Sequence, residues 1–477
     1  MPDPFLIHHE VYPFCFNIGG RLSPVSIRDQ MVRGRAIVDR LVAAGLIGVG
    51  LDLVVAGAGA AGVTAAMHAA SLGVNAHLIE RGPGPFAVQA GCTTRLINPT
   101  QYDWPLTHWD ENRYPWVAPS MPLRWSRGLS SSVAASWHAQ MRMLMASAAG
   151  RAFSFTPLHN VTLIATTGAA GPITVDVTPV AGGRPHTILA GALVSCIGFG
   201  SEDCSVPSSR GRTVTKGVTA GYTGFAFWET DPYNGRSWID ENVLISGGGD
   251  GALQDFLRIV TGQLEAQKIY RDLFAAAPRL RVISEFEPAL QSAEDQASRA
   301  FAWSDSARED HEILVTLRAA YARAISLIMG SRDWKRLLPR LSVLTTGAPN
   351  LTLVHRCNHF SRSYGLNQFL VMLIAEYFKT VNPANPTVRI IGDKEVRSII
   401  SADYHTCLDD PTACDGYAHS VDVDDHADCF GSSGILSRLP QDYHAIVVRH
   451  GIVPGTVPKP LRPILLPRQI LPYHVSI

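Results

Sequence analysis

Apolar and polar positions along the first 80 residues predict a helix, a strand, a glycine-rich loop, a second helix and a second strand. Residues 26–46 carry apolar side chains near one helical face, and Ser26 is a suitable N-cap residue for this helix. The strands are predicted at 51–56 and 74–79, with the second helix over 65–71 between them. Two short apolar runs joined by a helix are typical of a βαβ unit, whose strands are parallel.

The rest of the chain is predicted to contain a β-meander, a second strand–glycine–helix signal and a long helical segment. Alternating apolar residues separated by turn residues predict antiparallel strands at 161–165, 173–180 and 187–197. The later elements are a strand that begins near 243, helices over 253–345, a strand at 351–355 and a polar loop at 402–435. Because two glycine loops follow apolar strands and precede helices, we expect two nucleotide-binding units.

Composition limits the class of protein without identifying it. Hydrophobic residues make up 46% of the 477 residues and charged residues 17%, which provides enough apolar surface for large buried cores. Lys plus Arg and Asp plus Glu are both 41, so charge gives no reason to expect a nucleic-acid partner. The apolar stretch 41–70 is interrupted by Asp52 and several glycines, and the N-terminus lacks a basic segment before an apolar one. We therefore expect neither a membrane span nor a secretory signal.

The eight cysteines are widely spaced and form no C-x-x-C pair. This spacing favours reduced, mostly buried thiols in a cytoplasmic protein over a disulfide framework. A Cys/His group near the C-terminus offers ligand types that zinc prefers, but its spacings match no familiar metal motif, so we predict no metal site. Its members are His405, Cys407, Cys414, His419, His426 and Cys429.

The first glycine loop has the sequence G-x-G-x-x-G at the end of a predicted strand. Gly57 permits a tight turn, Gly59 lets the backbone approach a pyrophosphate, and Gly62 allows the helix to pack closely on the strand. The helix N-terminus adds unpaired amides that favour phosphate. We predict dinucleotide contacts at Gly57, Ala58, Gly59, Ala60, Ala61 and Gly62.

Glu80 completes this signal, because it ends the second strand 23 residues after Gly57. Its carboxylate can accept hydrogen bonds from both hydroxyls of an adenosine ribose. The motif alone does not distinguish an FAD site from an NAD site. The segment 52–82 resembles the FAD-binding segment of the two-dinucleotide-binding-domain flavoproteins. In that family the acid is Glu, often followed by a basic residue, as in the pair Glu80 and Arg81 here. The resemblance implies FAD as the cofactor.

The second glycine loop fits G-x-G-x-x-A and is similar to the sequence that opens the NAD(P)H domain in the same family. A strand at 351–355 precedes Arg356, in a pattern similar to that of flavin-containing monooxygenases, where an Arg reads the 2′-phosphate of NADPH. The acid expected at a strand end about 20 residues after the loop is not visible, because a helical stretch follows, and residues 253–345 would be a helical insertion. NADPH (or NADH) binding, a degenerate domain and a second contact to FAD therefore stay open. The predicted contacts are Gly247, Gly249, Asp250, Gly251 and Arg356.

Three further segments are candidates through the same resemblance. Gly198, in 193–202, lies where the family has its strand-to-glycine crossover, and 444–451 is the candidate for a second crossover. Either can also be an ordinary buried strand that ends in a turn. The segment 91–105 resembles the region that passes beside the isoalloxazine ring, and the alternative is a polar loop packed by its aromatic residues. The predicted contacts there are Arg95, Gln101, Asp103 and Trp104.

The flavoprotein resemblance implies an FAD-dependent oxidoreductase. The leading hypothesis is an NAD(P)H-dependent, monooxygenase-like enzyme that oxidises a small organic substrate through reduced flavin and oxygen. No catalytic side chain is predicted, because the flavin itself performs the redox chemistry. Two alternatives stay open: a flavin oxidase or dehydrogenase reduced directly by its substrate, and a non-catalytic FAD- or NAD-binding sensor or scaffold.

We therefore expect an α/β fold, with a Rossmann-type FAD-binding domain carrying a β-meander and a second Rossmann-like NAD(P)-binding domain carrying the helical insertion. The expected insertion offers a surface for homodimer formation. The predicted divisions are a helical extension at 1–50, the first part of the FAD domain at 51–205, the NAD(P)-binding-like domain at 206–400 with its insertion at about 253–345, and a segment at 401–477 that returns to the FAD domain.

Overall fold

The computed structural model of this chain divides into two compact units. The first comprises the described residues of Met1–Thr100, Glu111–Ser201 and Ile452–Ile477, and the second those of Gln101–Asp110 and Glu202–Gly451. The structure describes residues 3–18, 26–106, 108–114, 121–167, 171–198, 200–206, 218–275, 280–304, 306–402, 419–426, 429–430 and 432–452.

The first unit is built on a largely parallel sheet. Its helices are α1 (Pro4–His9), α2 (Ile27–Ala43), α3 (Ala60–Ser71), α4 (Ala87–Ala90) and α5 (Ser130–Met145). Its strands are β1 (Glu10–Tyr12), β2 (Cys15–Asn17), β3 (Leu53–Ala56), β4 (Ala76–Ile79), β5 (Leu96–Ile97), β6 (Arg113–Tyr114), β7 (Trp125–Ser126), β8 (Gly128–Leu129), β9 (Phe153–Thr156), β10 (His159–Thr166), β11 (Ile173–Pro179), β12 (His186–Ala190) and β13 (Ala192–Ser195). The sheet order is β1-β2-β13-β3-β4-β9. Strands β1 and β2 pair antiparallel, and every other pairing in this sheet is parallel.

The predicted βαβ unit is confirmed as β3, α3 and β4. All of β3 is buried, as expected for a central parallel strand covered on both faces. The predicted N-cap of α2 is also confirmed, because the Ser26 hydroxyl accepts a hydrogen bond from the Asp29 amide at 3.1 Å. Helix α3 begins at Ala60, five residues before the predicted start, since the glycine loop leads directly into it.

The predicted strand at 187–197 is two strands that belong to different sheets. Strand β12 pairs with β11 in an antiparallel sheet of β10, β11 and β12, whereas β13 lies parallel to β3 in the main sheet. The chain changes sheets at Gly191, whose amide donates to the Asp52 carbonyl at 2.8 Å. A Cβ at this position would lie 2.0 Å from the Leu46 carbonyl oxygen, so only glycine fits.

The second unit has its own parallel sheet. Its helices are α6 (Asp250–Thr261), α7 (Ala266–Tyr270), α8 (Ile283–Trp303), α9 (Ala307–Gly330), α10 (Trp334–Leu344) and α11 (Gly365–Val381). Its strands are β14 (Ser205–Val206), β15 (Val218–Ala220), β16 (Tyr222–Thr223), β17 (Asn242–Ser246), β18 (Asn350–Val354), β19 (Val388–Ile391), β20 (Lys394–Ala402), β21 (His419–His426), β22 (Ser432–Arg438) and β23 (Ala445–Val448). The sheet order is β19-β18-β17-β23, with every pairing parallel.

The two units share one topology. In each, four parallel strands, counted along the chain from the strand before the glycine loop, lie in the order third, second, first, fourth: β9-β4-β3-β13 in the first unit and β19-β18-β17-β23 in the second. In the first unit, β2 adds a further parallel strand beside β13. In each, antiparallel strands lie between the third and fourth parallel strands along the chain, namely β10–β12 and β20–β22. The difference lies between the first two strands, where α3 is replaced by the helices from α6 to α10.

Two sequence expectations about the C-terminal part differ from the structure. The described residues of the predicted loop at 402–435 include β21 and part of β22, because Val421 and Val423 alternate with aspartates and pack into the core. Strands β21, β22 and β23 belong to the second unit, whereas we expected 401–477 to return to the first. The physical reason is that β23 pairs in parallel with β17 and completes the second sheet.

The expectation of reduced thiols is wrong for one pair of cysteines. Cys357 and Cys429, 72 residues apart in sequence, form a disulfide with a Cα–Cα distance of 4.7 Å. Cys15, Cys92, Cys196 and Cys204 are buried and take part in no disulfide. Cys407 and Cys414, together with His405, lie outside the described residues.

Among the described helices, α9 alone is long and apolar enough to cross a bilayer by length and composition. In its most apolar window, 28% of the residues are buried. One such helix is weak evidence for a membrane span, because a core helix can meet the same test.

A buried network of charges lies on α6. The Arg258 guanidinium is 3.0 Å from the Asp231 carboxylate and 2.9 Å from that of Asp255, and Asp255 also lies 2.9 Å from Arg449. The two aspartate side chains are fully buried and that of Arg258 is 6% exposed. Removing one partner from such a network leaves charge buried without its counter-charge.

We expect Arg258→Met to lower the free energy of unfolding by about 3–5 kcal/mol, because two buried carboxylates lose their shared cation. Urea denaturation followed by circular dichroism measures the change. The control is Arg336→Met, since Arg336 pairs with Asp333 from a side chain that is 67% exposed, and its loss should cost less than about 1 kcal/mol. Equal effects of the two substitutions would contradict the assignment.

Candidate functional site

The first glycine loop lies at the carboxyl end of β3, between that strand and α3. Gly57 has φ +101°, and its amide donates to the Ile79 carbonyl at 2.8 Å. A Cβ on Gly57 would lie 2.6 Å from the carbonyl oxygen of Cys196, the residue that follows β13. Both the backbone conformation and the close approach of a neighbouring strand therefore require glycine here.

Gly62 and Gly59 have different environments in the same loop. A Cβ on Gly62 would lie 1.9 Å from the Gly57 carbonyl oxygen, so α3 can pack on the loop only without a side chain. Gly59 is the N-cap residue of α3 with an extended backbone, and a Cβ there would meet nothing within 4 Å. The loop is therefore tightly packed behind Gly62 and open in front of Gly59, at the N-terminus of α3.

Glu80 lies directly beside this loop. One carboxylate oxygen accepts a hydrogen bond from the Ala58 amide at 2.7 Å, and the other accepts one from the Gly82 amide at 2.6 Å. The sequence predicted ribose hydroxyls as the partners of this carboxylate. In the structure it fixes the glycine loop to the end of β4, and Arg81 beside it is exposed.

The residues present fit the ADP half of FAD. The free amides of the first turn of α3, including those of Ala60 and Ala61, supply partial positive charge for phosphate, and Gly59 leaves room for it. The Glu80 carboxylate lies at the neighbouring strand end, where a ribose would lie in this fold. Burial raises the pKa of the Cys196 thiol, so the cysteine next to the loop stays protonated and is not a nucleophile.

The other predicted flavin contacts are divided between the two units. Arg95 is buried in the first unit, and Gly198 follows β13 with φ +78°. Gln101, Asp103 and Trp104 belong to the second unit. Gln101 and Asp103 are the ends of a 3-10 helix, and the Asp103 carboxylate lies 3.2 Å from His108.

Trp104 lies in the hydrophobic core of the second unit. Its indole is 3% exposed, stacks on Phe369 with 5.1 Å between ring centroids, and contacts the edge of Tyr270 at 5.7 Å. These contacts favour the alternative that the segment is packed by its aromatic residues.

The second glycine loop repeats the geometry of the first. Gly247 has φ +139°, its amide donates to the Val354 carbonyl at 2.9 Å, and a Cβ there would lie 2.2 Å from the Arg449 carbonyl oxygen. Gly249 is the N-cap residue of α6, with nothing within 4 Å of a Cβ. Ala252, fully buried, stands where the first loop has Gly62.

Asp250 distinguishes the second loop from the first. Its carboxylate accepts hydrogen bonds from the Asn367 side chain at 2.7 Å and the Tyr364 amide at 3.2 Å, which connects the start of α6 to the start of α11. Burial raises the pKa of Asp250 to about 6, although the hydrogen bonds from Asn367, Tyr364 and Gln254 lower it. A carboxylate at the helix N-terminus competes with phosphate for the same amides.

The remaining predicted residues of the second loop lie around Asp250 and at the end of β18. A Cβ on Gly251 would lie 3.1 Å from the Phe227 ring, so a side chain there has little room. Arg356 follows β18 by two residues and is exposed. Arg449, in the predicted second crossover, follows β23 and is buried against Asp255. The positive charge of Arg449 is therefore paired inside the second unit.

Sequence reasoning missed the role of Asp255 and Arg258. The signal was present, since two opposite charges three residues apart interrupt the apolar helix α6. A pair at this spacing within a buried helix indicates an internal ion pair. Its partners Asp231 and Arg449 come from distant parts of the chain and could not be read from spacing.

Each unit has a glycine loop after the first of four parallel strands that lie in the order third, second, first, fourth, an arrangement typical of Rossmann-type dinucleotide-binding units. No protein-family model matches the chain. No curated protein matches it either.

Several solved structures align with the chain over most of its length. Thioredoxin reductase from Lactococcus lactis has 12% identity and a TM-score of 0.38, with 84% of this chain and 77% of that chain covered. The bacillithiol disulfide reductase of Bacillus cereus has 11% identity and a TM-score of 0.37, with 84% of this chain and 78% of that chain covered. For DfoA bound to FAD, a cadaverine monooxygenase from Erwinia amylovora, the corresponding values are 11%, 0.38, 85% and 79%. Since these TM-scores are below 0.5, we take function from the residues of this chain.

We expect Gly62→Ala to destabilise the first unit, because the new methyl group would collide with the Gly57 carbonyl and force α3 from the loop. The loss should be at least about 1–3 kcal/mol, the usual cost of overpacking. Thermal unfolding measures it. Gly59→Ala is the matched control, since it places the same methyl group in open space at an allowed φ, and it should leave the unfolding temperature nearly unchanged. An unchanged Gly62→Ala protein would contradict the packing role.

Proposed function

We propose that the first unit binds FAD and that the chain is an FAD-dependent oxidoreductase. The observation that carries this proposal is the unoccupied space at Gly59, in front of the N-terminus of α3 and beside the Glu80 carboxylate. Phosphate is favoured there by the amides and dipole of the helix, and an acid at the neighbouring strand end suits a ribose. The pair Glu80 and Arg81, which resembles the FAD-binding segment of the family, supports FAD over NAD.

The second glycine loop is the proposed site of NADPH or NADH. Its Gly249 is as open as Gly59, and it too is the N-cap residue of a helix after a buried parallel strand. Arg356 is exposed two residues beyond β18 and can reach solvent-borne phosphate with a bidentate guanidinium. These features support a nicotinamide dinucleotide as the reductant.

Bound FAD would supply a ring that accepts hydride and passes electrons on, so the protein needs to provide position, charge and access rather than a catalytic side chain. In the first unit the glycine loop and α3 would hold the pyrophosphate, and Glu80 would orient the ribose. The chain has no C-x-x-C pair, which argues against a disulfide reductase with adjacent cysteines. We therefore propose monooxygenase-like oxidation of a small organic substrate.

One observation favours a second candidate, a flavin oxidase or dehydrogenase that takes hydride directly from its substrate. Asp250 places a carboxylate at the N-terminus of α6 and is held by Asn367 and Tyr364. Ionised, it opposes a dinucleotide phosphate at the second loop. A chain of this second kind would bind FAD and remain oxidised in the presence of NADPH and NADH.

The two loops can be tested separately with matched substitutions. We expect the purified wild type to be yellow and to be bleached by NADPH without oxygen. Gly59→Val should yield a colourless protein, because a branched side chain would occupy the space in front of α3 where the FAD pyrophosphate is proposed to bind. Gly249→Val should retain the flavin spectrum and lose bleaching by NADPH. Absorbance spectra and anaerobic stopped-flow measurements give both results.

Each other outcome of this experiment has a defined meaning. A yellow wild type that neither nicotinamide reduces would contradict the NAD(P)H proposal and favour the oxidase or dehydrogenase. Gly59→Val protein that keeps its FAD would contradict the placement of the pyrophosphate. Circular dichroism of both variants shows whether loss of cofactor is accompanied by loss of fold.

Arg356 gives a test of nucleotide preference. We expect Arg356→Gln to raise the KM for NADPH about tenfold to a hundredfold, as expected from loss of a charged hydrogen bond worth about 1.5–3 kcal/mol, and to leave the KM for NADH nearly unchanged. Steady-state reduction of an artificial electron acceptor measures both constants. Arg332→Gln, which changes an exposed arginine between α9 and α10 in the same unit, is the control. Equal changes for both nucleotides would rule out recognition of the 2′-phosphate by Arg356.

A further inference from the structure

Three separate elements of the second unit bring histidine and cysteine side chains together. His311 lies in the first turns of α9, Cys357 and His359 lie in the loop after β18, and Cys429 lies between β21 and β22. The Nδ1 atom of His311 is 2.8 Å from Nε2 of His359 and 3.4 Å from Sγ of Cys429. The Cys429 Sγ is 3.9 Å from Nε2 of His359, and Cys357 is joined to Cys429.

We propose that His311, Cys357, His359 and Cys429 form a binding site for a zinc-like divalent cation when the two cysteines are reduced. Two imidazoles and two thiolates are a ligand set that holds zinc in tetrahedral sites. None of the four is a residue of either glycine loop, and the proposal does not depend on FAD or NAD(P)H binding.

The observed spacing is close to that of a tetrahedral site. Zn–N bonds of about 2.0–2.1 Å and Zn–S bonds of about 2.3 Å place the ligand atoms roughly 3.3–3.8 Å from one another. The distances from the Cys429 sulfur to the two nitrogens, 3.4 and 3.9 Å, are close to this range. The two sulfur atoms, bonded to each other in the disulfide, would separate to it on reduction. The two imidazole nitrogens, at 2.8 Å, need to separate by only about half an ångström to reach it.

The orientation of His359 also suits a metal ligand. Its Nδ1 lies 2.8 Å from the Phe360 carbonyl oxygen, to which it can donate a hydrogen bond, and this leaves Nε2 as the unprotonated nitrogen that faces the cluster. Metal-bound histidines are typically held in this way by a backbone carbonyl. His359 is 5% exposed and Cys429 is 8% exposed, so these two ligands lie away from bulk solvent, whereas His311 and Cys357 are half-buried.

The disulfide and the metal are alternative states of the same two sulfur atoms. A dithiol reductant transfers two electrons and two protons to the Cys357–Cys429 bond, which gives two thiols and the oxidised, cyclic reductant. Binding of one divalent cation then releases both thiol protons to solvent and leaves two thiolates, so the charge of the cation is neutralised. Oxidation to the disulfide removes both thiolates and thereby the affinity for the metal.

The position of the cluster indicates what the metal would do. All four tetrahedral positions would be filled by protein ligands, which is typical of a structural site rather than a catalytic one. The ion would connect α9, in the long helical segment, to the loop after β18 and to the turn between β21 and β22. The segment with no counterpart in the first unit would thus be attached to the second sheet in a redox-dependent manner.

Cobalt and zinc titration of the full chain tests the proposal. The protein is reduced with a dithiol, freed of metal with a chelator and titrated with Co²⁺ under argon. We expect about one Co²⁺ per chain, with thiolate-to-cobalt charge-transfer and tetrahedral d–d absorption that zinc abolishes. The same chain oxidised to the disulfide should show neither absorption, and this comparison requires no substitution.

Substitutions then identify the ligands. We expect His311→Gln, His359→Gln and Cys429→Ser each to weaken zinc binding by about a hundredfold, as loss of one of four ligands requires. Cys204→Ser, which changes a free cysteine of the same unit, and His138→Gln, which changes an exposed histidine of α5, should bind zinc as the wild type does. Reduced wild type that binds no cobalt, or cobalt binding that survives all three ligand substitutions, would overturn the proposal.

Discussion

The contact on which the first unit depends is the packing of bare backbone at the glycine loop. The Gly57 Cα faces the Cys196 carbonyl, and Gly62 faces the Gly57 carbonyl, so β13, the loop and α3 meet without a side chain between them. This close approach brings the N-terminus of α3 to the carboxyl end of β3. The Glu80 carboxylate then fixes the loop to the next strand, because it accepts a hydrogen bond from the Ala58 amide. The unoccupied space at Gly59 is a consequence of this packing, because only the outer side of the loop has no packing neighbour.

The second unit solves the same packing problem and then diverges. Gly247 faces the Arg449 carbonyl as Gly57 faces that of Cys196, and the strand order is the same. The divergence lies in charge: Asp250 occupies the helix N-terminus, and Arg449 is buried against Asp255. Both loops are open at their N-cap glycine, but the first helical residue is Ala60 in one unit and the hydrogen-bonded Asp250 in the other. Ionised, Asp250 makes the second loop the weaker site for phosphate.

Local signals were sufficient for β3, α3 and β4, because a buried strand, a glycine loop and a helix follow one another within one stretch of chain. Features that depend on distant partners could not be predicted. The change of sheet at Gly191 lies inside a continuous apolar run. The aspartates of β21 predict a loop, but partners such as Arg438, 3.0 Å from Asp422, allow them to lie in a strand. The approach of His311 to Cys429 joins residues 118 apart in sequence, so no motif spacing indicates it.

The most direct test of the central claim is the binding of FAD compared with FMN to the cofactor-free chain, followed by flavin fluorescence. FMN carries the same ring but lacks the adenosine half that the first loop is proposed to hold. We predict about one FAD bound per chain, and FMN affinity at least about a hundredfold lower, because binding to α3 and Glu80 is lost. Equal affinity for both flavins, or no affinity for FAD, would contradict the account.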